Sequence, residues 1–182
     1  MDKSLMILAE GFEEVEALTI VDLLRRAELP VITAGLDSER VTGSHGIEIK
    51  ADCLLEGAEL GDVGCLIIPG GLAGVERLAA SERVLELVRD FERDGKLLSA
   101  ICAGPLVLYR SGALTGRRVA CHPCIEERLE GVSISHEAVA IDGKIVTSRA
   151  LGTAMDLALA LVSCFKDAYA SNALASSILY KR

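Results

Sequence analysis

Tryptophan is absent from this chain, and aromatic residues of any kind make up only 3% of it. Binding of single-stranded nucleic acid on stacked rings is therefore disfavoured. Positive charge is also scarce: 19 Lys and Arg stand against 27 Asp and Glu, a net charge of −8. Such a chain repels phosphate backbones, so no nucleic-acid partner is expected, and Arg117–Arg118 reads as solvated surface. The longest aliphatic stretch, near Leu157–Val162, is far below the ~18 residues that span a bilayer. The apolar run at the N-terminus is too short for a signal peptide. A soluble, cytoplasmic protein with no membrane partner is expected.

What is abundant is aliphatic: 51% of the 182 residues are hydrophobic, which excludes a disordered chain and suits one domain over 1–182. Short apolar strands alternate with helices. The pattern predicts strands at Ser4–Leu8, Val31–Ala34, Cys65–Ile68, Leu97–Ile101 and near Arg118–Cys121, with a weaker one over Ile47–Ala51. Helices are predicted over Glu14–Ala27, Glu82–Asp94, Gly104–Ser111 and Thr153–Phe165. Asp142-Gly143 is expected to turn a hairpin between Val139–Ile141 and Lys144–Thr147. Strands that are apolar throughout belong in a parallel sheet covered on both faces. The fold class is α/β, a doubly wound three-layer sandwich whose ligands sit beyond the carboxyl ends of the strands.

Six Cys in a chain of this kind are expected to be mostly reduced. Cys102 differs from the others by its place between a predicted strand and the helix predicted from Gly104, whose first turn suits Pro105. The small residues Ala100, Ala103 and Gly104 permit a sharp corner there, like the nucleophile elbow of hydrolases. A helix N-terminus would favour the thiolate. Cys53, Cys65 and Cys164 read as packing.

Glu16 continues an apolar helical stripe of Ile20, Leu23, Leu24 and Ala27, while Thr19, Asp22 and Arg26 lie opposite, the last two spaced for a surface ion pair. A carboxyl at the end of a buried stripe is raised in pKa and can act as general acid or base beside a thiolate. Glu13 is a weaker rival, and Glu13 and Glu14 otherwise suit a helix dipole. Gly70 and Gly71, after Pro69, expose backbone N–H groups suited to an oxyanion hole, or form an ordinary turn. No G-x-G-x-x-G and no Gly-Lys-Ser/Thr occurs, so no nucleotide site or other cofactor is expected.

Cys121-His122-Pro123-Cys124 is a C-x-x-C, but no later proline is available to face it as in thioredoxin-like proteins. No second pair completes a zinc site, so no metal is expected. His122 either relays protons near Cys102 or is structural, and the roles of Cys121 and Cys124 stay open. His136 reads as surface.

Together Gly11-Phe12-Glu13-Glu14-Val15-Glu16, Pro69-Gly70-Gly71, Ala100-Ile101-Cys102-Ala103-Gly104-Pro105, His122-Pro123 and Thr147-Ser148-Arg149 resemble the ThiJ/PfpI superfamily, most closely its DJ-one branch, over nearly the whole chain. The resemblance implies a flavodoxin-like sandwich and a homodimer. It makes Cys102 an oxidation-sensitive nucleophile and Glu16 its protonated partner. Gly71 and Ala103 would donate N–H groups, His122 would lie close by, and Arg26 and Arg149 would lie near the dimer interface or site mouth. His45 stands where relatives carry an anion-binding Arg. Ala103 follows the nucleophile where protease-like branches have His, so peptidase activity is not implied. The implied activity is a glyoxalase or protein deglycase acting on methylglyoxal, glyoxal or glycated protein. The alternatives are a non-enzymatic sensor in which Cys102 is oxidised to sulfinate, or a redox-regulated chaperone. Cys121 and Cys124 are candidate secondary redox thiols.

Overall fold

The structure, a computed structural model, describes residues 3–181. The chain opens with β1 (Lys3–Leu8), α1 (Glu14–Arg26) and β2 (Val31–Gly35), followed by the short strands β3 (Arg40–Thr42), β4 (Glu48–Lys50) and β5 (Cys53–Leu54). Next come β6 (Val63–Ile68), α2 (Leu72–Ala80), α3 (Glu82–Arg93), β7 (Leu97–Ile101) and α4 (Pro105–Ser111). β8 (Arg118–Ala120), β9 (Ser133–Ser135), the hairpin β10 (Val139–Asp142) and β11 (Ile145–Ser148), then α5 (Ala154–Phe165) and α6 (Ala168–Ser177) complete it.

Seven strands form one sheet in the order β10-β11-β7-β6-β1-β2-β5, and every pairing except β10 with β11 is parallel. From β1 the chain first moves out to β2 and β5, then returns to β6 on the other side of β1. That reversal opens a crevice at the carboxyl ends of β1 and β6, where α/β sheets bind ligands.

Burial on both faces explains the strands. Leu5, Ile7, Leu66 and Ile68 pack with α2, α3 and α4, whereas Met6, Leu8, Cys65 and Ile67 pack with α1, α5 and α6. The period-two alternation therefore divides apolar from apolar. α1 starts where Glu13 caps it, its side chain accepting from the Glu16 N–H, and ends with Arg25 and Arg26 in its last turn.

Some expectations need correction. β8 has no ladder to the main sheet and pairs only with β9. The pairing of Asp142 with Ile145 puts the hairpin turn at Gly143-Lys144, one residue later than predicted, because Gly143 is the residue at positive φ (60°). Cys164 is exposed rather than packed. α2 is the first part of the helical pattern expected after Gly71, whereas α6 was not predicted, because its run of small residues shows no clear apolar stripe. Among the described residues, no helix is long and apolar enough to cross a membrane.

α2 crosses the β1–α1 loop at Gly74, where an added Cβ would lie 2.8 Å from the Phe12 nitrogen and 3.0 Å from the Gly11 carbonyl carbon. Helix propensity favours Ala over Gly by about 1 kcal/mol, but both obstructing atoms are backbone and cannot rotate away. Gly74→Ala is expected to destabilise the protein by about 1–3 kcal/mol in urea unfolding, the cost of overpacking.

Candidate active site

Cys102 follows β7 directly with φ at +63°, one of three non-glycine residues in the left-handed region among those described. An L-residue loses about 1–2 kcal/mol there, so neighbouring interactions must hold it. Its N–H donates to the Ser148 carbonyl (3.0 Å), and its carbonyl accepts from the His122 N–H (2.8 Å). The corner is the sharp elbow that Ala100, Ala103 and Gly104 predict. A Cβ at Gly104 would come 2.6 Å from the Ile68 carbonyl oxygen, so only glycine passes there.

Glu16 reaches the same point from the first turn of α1 and is 1% exposed. Its Oε2 accepts from the Gly70 N–H at 2.9 Å. It also accepts from the Leu151 N–H and shares a hydrogen bond with the Cys102 side chain. Gly70 lies between the two side chains: an added Cβ would meet Glu16 Oε2 and would lie 2.6 Å from Cys102 Cβ and 3.1 Å from Sγ. The Gly70 N–H is thus committed to Glu16 and is not a free oxyanion donor, contrary to expectation. Gly71 (φ +87°) has no room for a side chain, which would lie 2.5 Å from the Glu13 nitrogen. Ala103 turns its N–H toward the sulfur and favours the thiolate.

Burial drives the Glu16 carboxyl up to about 7; the Glu13 charge adds to this, and hydrogen bonds from Cys102, Gly70 and Leu151 oppose it. Burial, and then the Glu16 charge and hydrogen bond, push the Cys102 thiol up to about 12. The expected helix-terminus effect is not met. α4 starts at Pro105, beyond the corner, and only the Ala103 N–H lowers the thiol. The charge that hinders the thiolate is therefore removed when Glu16 carries the proton.

Glu13 is not the rival acid. Its Oε2 accepts from the Glu16 N–H at 2.7 Å, so it caps and orients Glu16. Glu14, read from sequence as a dipole acid, is a buried anchor. It accepts from the backbone N–H groups of His45 (2.7 Å) and Ile47 (3.4 Å), and its Oε2 lies 3.1 Å from His45 Nδ1. Although burial opposes it, these bonds hold its carboxyl down at about 2. Glu13, Glu14 and His45 bring possible metal-ligand atoms within 4.8 Å of one another. The Glu14 oxygens are already occupied by loop donors, so we assign the cluster to holding the 43–47 loop. Sequence reasoning missed this clamp, and also Ser148, which anchors the elbow through a backbone carbonyl that no side-chain pattern reveals.

His122 is fastened to the Cys102 carbonyl, and its Nδ1 accepts from the Cys124 N–H at 3.2 Å. That bond uses Nδ1 as the acceptor. Arg149 is half-buried beside Cys121, its Nε without a hydrogen-bond partner among the described residues. Arg26 pairs with Asp22 at 2.6 Å, as the i,i+4 spacing predicts. It lies ten residues along α1 from Glu16, about 15 Å away, and does not border the cysteine. A groove of about 740 Å³, lined in part by Asp62, Lys96 and Lys144, lies at the opposite ends of the strands and touches none of these groups.

Two outcomes follow from this geometry. Cys102→Gly should be more stable than Cys102→Ala by about 1 kcal/mol in urea unfolding, because only the former relieves the positive φ. The folded-state pKa of Glu16 lies above its ordinary value of 4.5, so its stabilising contribution is complete below about 4.5 and is lost as pH rises through about 7. Relative to Glu16→Gln, the wild type should lose about 3 kcal/mol of stability between pH 4.5 and 8. Parallel pH profiles would contradict the raised carboxyl.

A sequence profile described as the DJ-1/PfpI family matches residues 2–164. The chain is 34% identical over 176 residues to "Glutathione-independent glyoxalase DJR-1.2" of Caenorhabditis elegans, covering 94% of each. It is 36% identical over 163 residues to "Protein DJ-1 homolog A" of Arabidopsis thaliana; this covers 88% of the chain but spans only 42% of that relative's length. The crystal structure of Drosophila melanogaster DJ-1beta superposes over the whole of both chains with a TM-score of 0.95 and 34% identity. That likeness agrees with the flavodoxin-like sandwich implied by the resemblance.

Proposed function

Because the chain belongs to the DJ-1/PfpI family, we propose that it is a cysteine-dependent glyoxalase and protein deglycase, acting without glutathione on methylglyoxal, glyoxal or their adducts on protein side chains. The observation that carries this reading is the hydrogen bond between a buried carboxyl, raised to about 7, and a thiol fixed at a strained elbow. Above about pH 7 the pair holds a single proton, which rests on the thiol; when it passes to Glu16, Cys102 is the nucleophile.

The Cys102 thiolate adds to the aldehyde carbon of methylglyoxal. A C–S bond forms, and the carbonyl oxygen takes the Glu16 proton, giving a hemithioacetal. The Glu16 carboxylate then removes the proton from the former aldehyde carbon, producing an enediolate. Glu16 returns that proton to the adjacent carbon while the proton on the first oxygen passes to the second, which leaves a lactoyl thioester on Cys102. Water hydrolyses it to lactate and restores the thiol, so the sum is methylglyoxal plus water to lactate. The Ala103 N–H faces the sulfur, and His122, tied through its backbone to the Cys102 carbonyl, is the group we assign to relaying protons there. With glyoxal the product is glycolate. On a glycated protein, the Cys102 thiolate attacks the carbon that joins the dicarbonyl to the side chain; the new C–S bond replaces the bond to the side chain, which leaves with the Glu16 proton.

Four large apolar side chains flank the start of α1 and the approach to α5: Val15, Leu18, Leu151 and Met155, each between 41% and 49% exposed. A second copy of the chain covering this face would make the homodimer that the resemblance implies, and would close over Glu16 from the Leu151 side.

Cys102→Ser and Glu16→Gln should each lower lactate production from methylglyoxal by at least about 100-fold, the usual worth of a nucleophile or a general acid/base. Circular dichroism should show both variants folded. Lactate production unchanged in both would overturn the mechanism.

A further inference from the structure

The two thiols of the C-x-x-C segment are not used by this chemistry, yet the segment is tied to the reactive sulfur. His122 donates its N–H to the Cys102 carbonyl at 2.8 Å, and Cys124 donates its own N–H to His122 Nδ1 at 3.2 Å. Cys124 sits on the short 3-10 helix Pro123–Arg128, whose far end is held by Arg128 on Glu76 at 2.7 Å. It is exposed, whereas Cys121 is fully buried. Burial and the nearby Glu126 push the Cys121 thiol up to about 11, so Cys121 is the poorer partner for exchange. Cys124 is close enough for a charge on it to raise the thiols of both Cys102 and Cys121.

We propose that Cys124 is a resolving thiol: a hydroperoxide oxidises Cys102, and Cys124 traps the product as a Cys102–Cys124 disulfide before a second oxygen is added. This rests on Cys102 being the reactive sulfur of the proposed function. In the first step the Cys102 thiolate attacks one peroxide oxygen. An S–O bond forms, the O–O bond breaks, and the departing oxygen takes the Glu16 proton. Sulfur loses two electrons and the peroxide gains them. In the second step Cys124 attacks the Cys102 sulfur and gives up its proton. The S–S bond forms and the hydroxyl leaves as water.

Closing the bond requires the two Cα atoms to come within about 7 Å. The element that carries Cys124 is a short 3-10 helix, whose hydrogen bonds are poorer than those of an α-helix, and not a core strand. The consequence is reversible: a dithiol reductant restores the site, whereas a sulfinate on Cys102 would not be restored.

The test treats wild type, Cys124→Ser and Cys121→Ala with stoichiometric hydrogen peroxide and reads intact mass, non-reducing peptide maps and dicarbonyl turnover. Wild type should lose two hydrogen atoms in mass and yield a peptide joining Cys102 to Cys124. Its activity should fall and then return with dithiothreitol. Cys121→Ala should behave in the same way. Cys124→Ser should gain two oxygens on Cys102 and, relative to its own untreated rate, should not recover. Two oxygens on Cys102 of the wild type at the rate seen in Cys124→Ser would overturn the resolving role and leave the nucleophile intact. A Cys121–Cys124 link would overturn it as well. No oxidation at Cys102 in any variant would overturn the reactive cysteine itself, and the resolving role with it.

Discussion

One buried carboxyl holds the site together. Glu16 accepts hydrogen bonds from the Gly70 N–H after β6 and the Leu151 N–H before α5, and meets Cys102 after β7. Three connections from both faces of the sheet thus converge on a single acid. The acid can occupy this place because burial keeps its proton near neutrality, and it can be buried because the backbone satisfies its oxygens. The glycine at position 70 follows from the same contact, since any side chain there would displace either Glu16 or Cys102.

The strain at Cys102 has the same origin. Its positive φ is imposed from both sides, by the Ser148 carbonyl and the His122 N–H, and aims the sulfur at the carboxyl. Around this pair the remaining polar groups have supporting tasks. Glu13 caps and orients Glu16, Glu14 clamps the 43–47 loop through His45, and Ala103 points its N–H at the sulfur. The Glu13 charge lies close to Glu16 and contributes to keeping its proton in place.

Much of this was legible before any coordinates. The continuous apolar strands required a covered parallel sheet, the strand-to-helix corner marked Cys102, and a carboxylate on the apolar stripe of α1 marked Glu16. What was not legible depends on long-range backbone contacts. Gly70 looked like an oxyanion donor because its sequence shows a free N–H, but the partner of that group is Glu16, 54 positions earlier. Cys102 looked like a thiolate stabilised by a helix terminus, but α4 begins too late, and burial with the Glu16 charge raises the thiol instead. Glu14 matched a helix-dipole acid because local spacing cannot show that a loop thirty residues later folds over it.

The central claim is that Glu16 keeps its proton up to neutral pH because it is buried against Cys102. Infrared difference titration, wild type minus Glu16→Gln, reads that proton directly through the carboxyl C=O band. The account requires the band to persist below neutrality and disappear with a midpoint near 7, and to persist to higher pH in Cys102→Ala, where the thiol hydrogen bond that favours the carboxylate is gone. A midpoint near the ordinary carboxylate value of 4.5 in both proteins would contradict it.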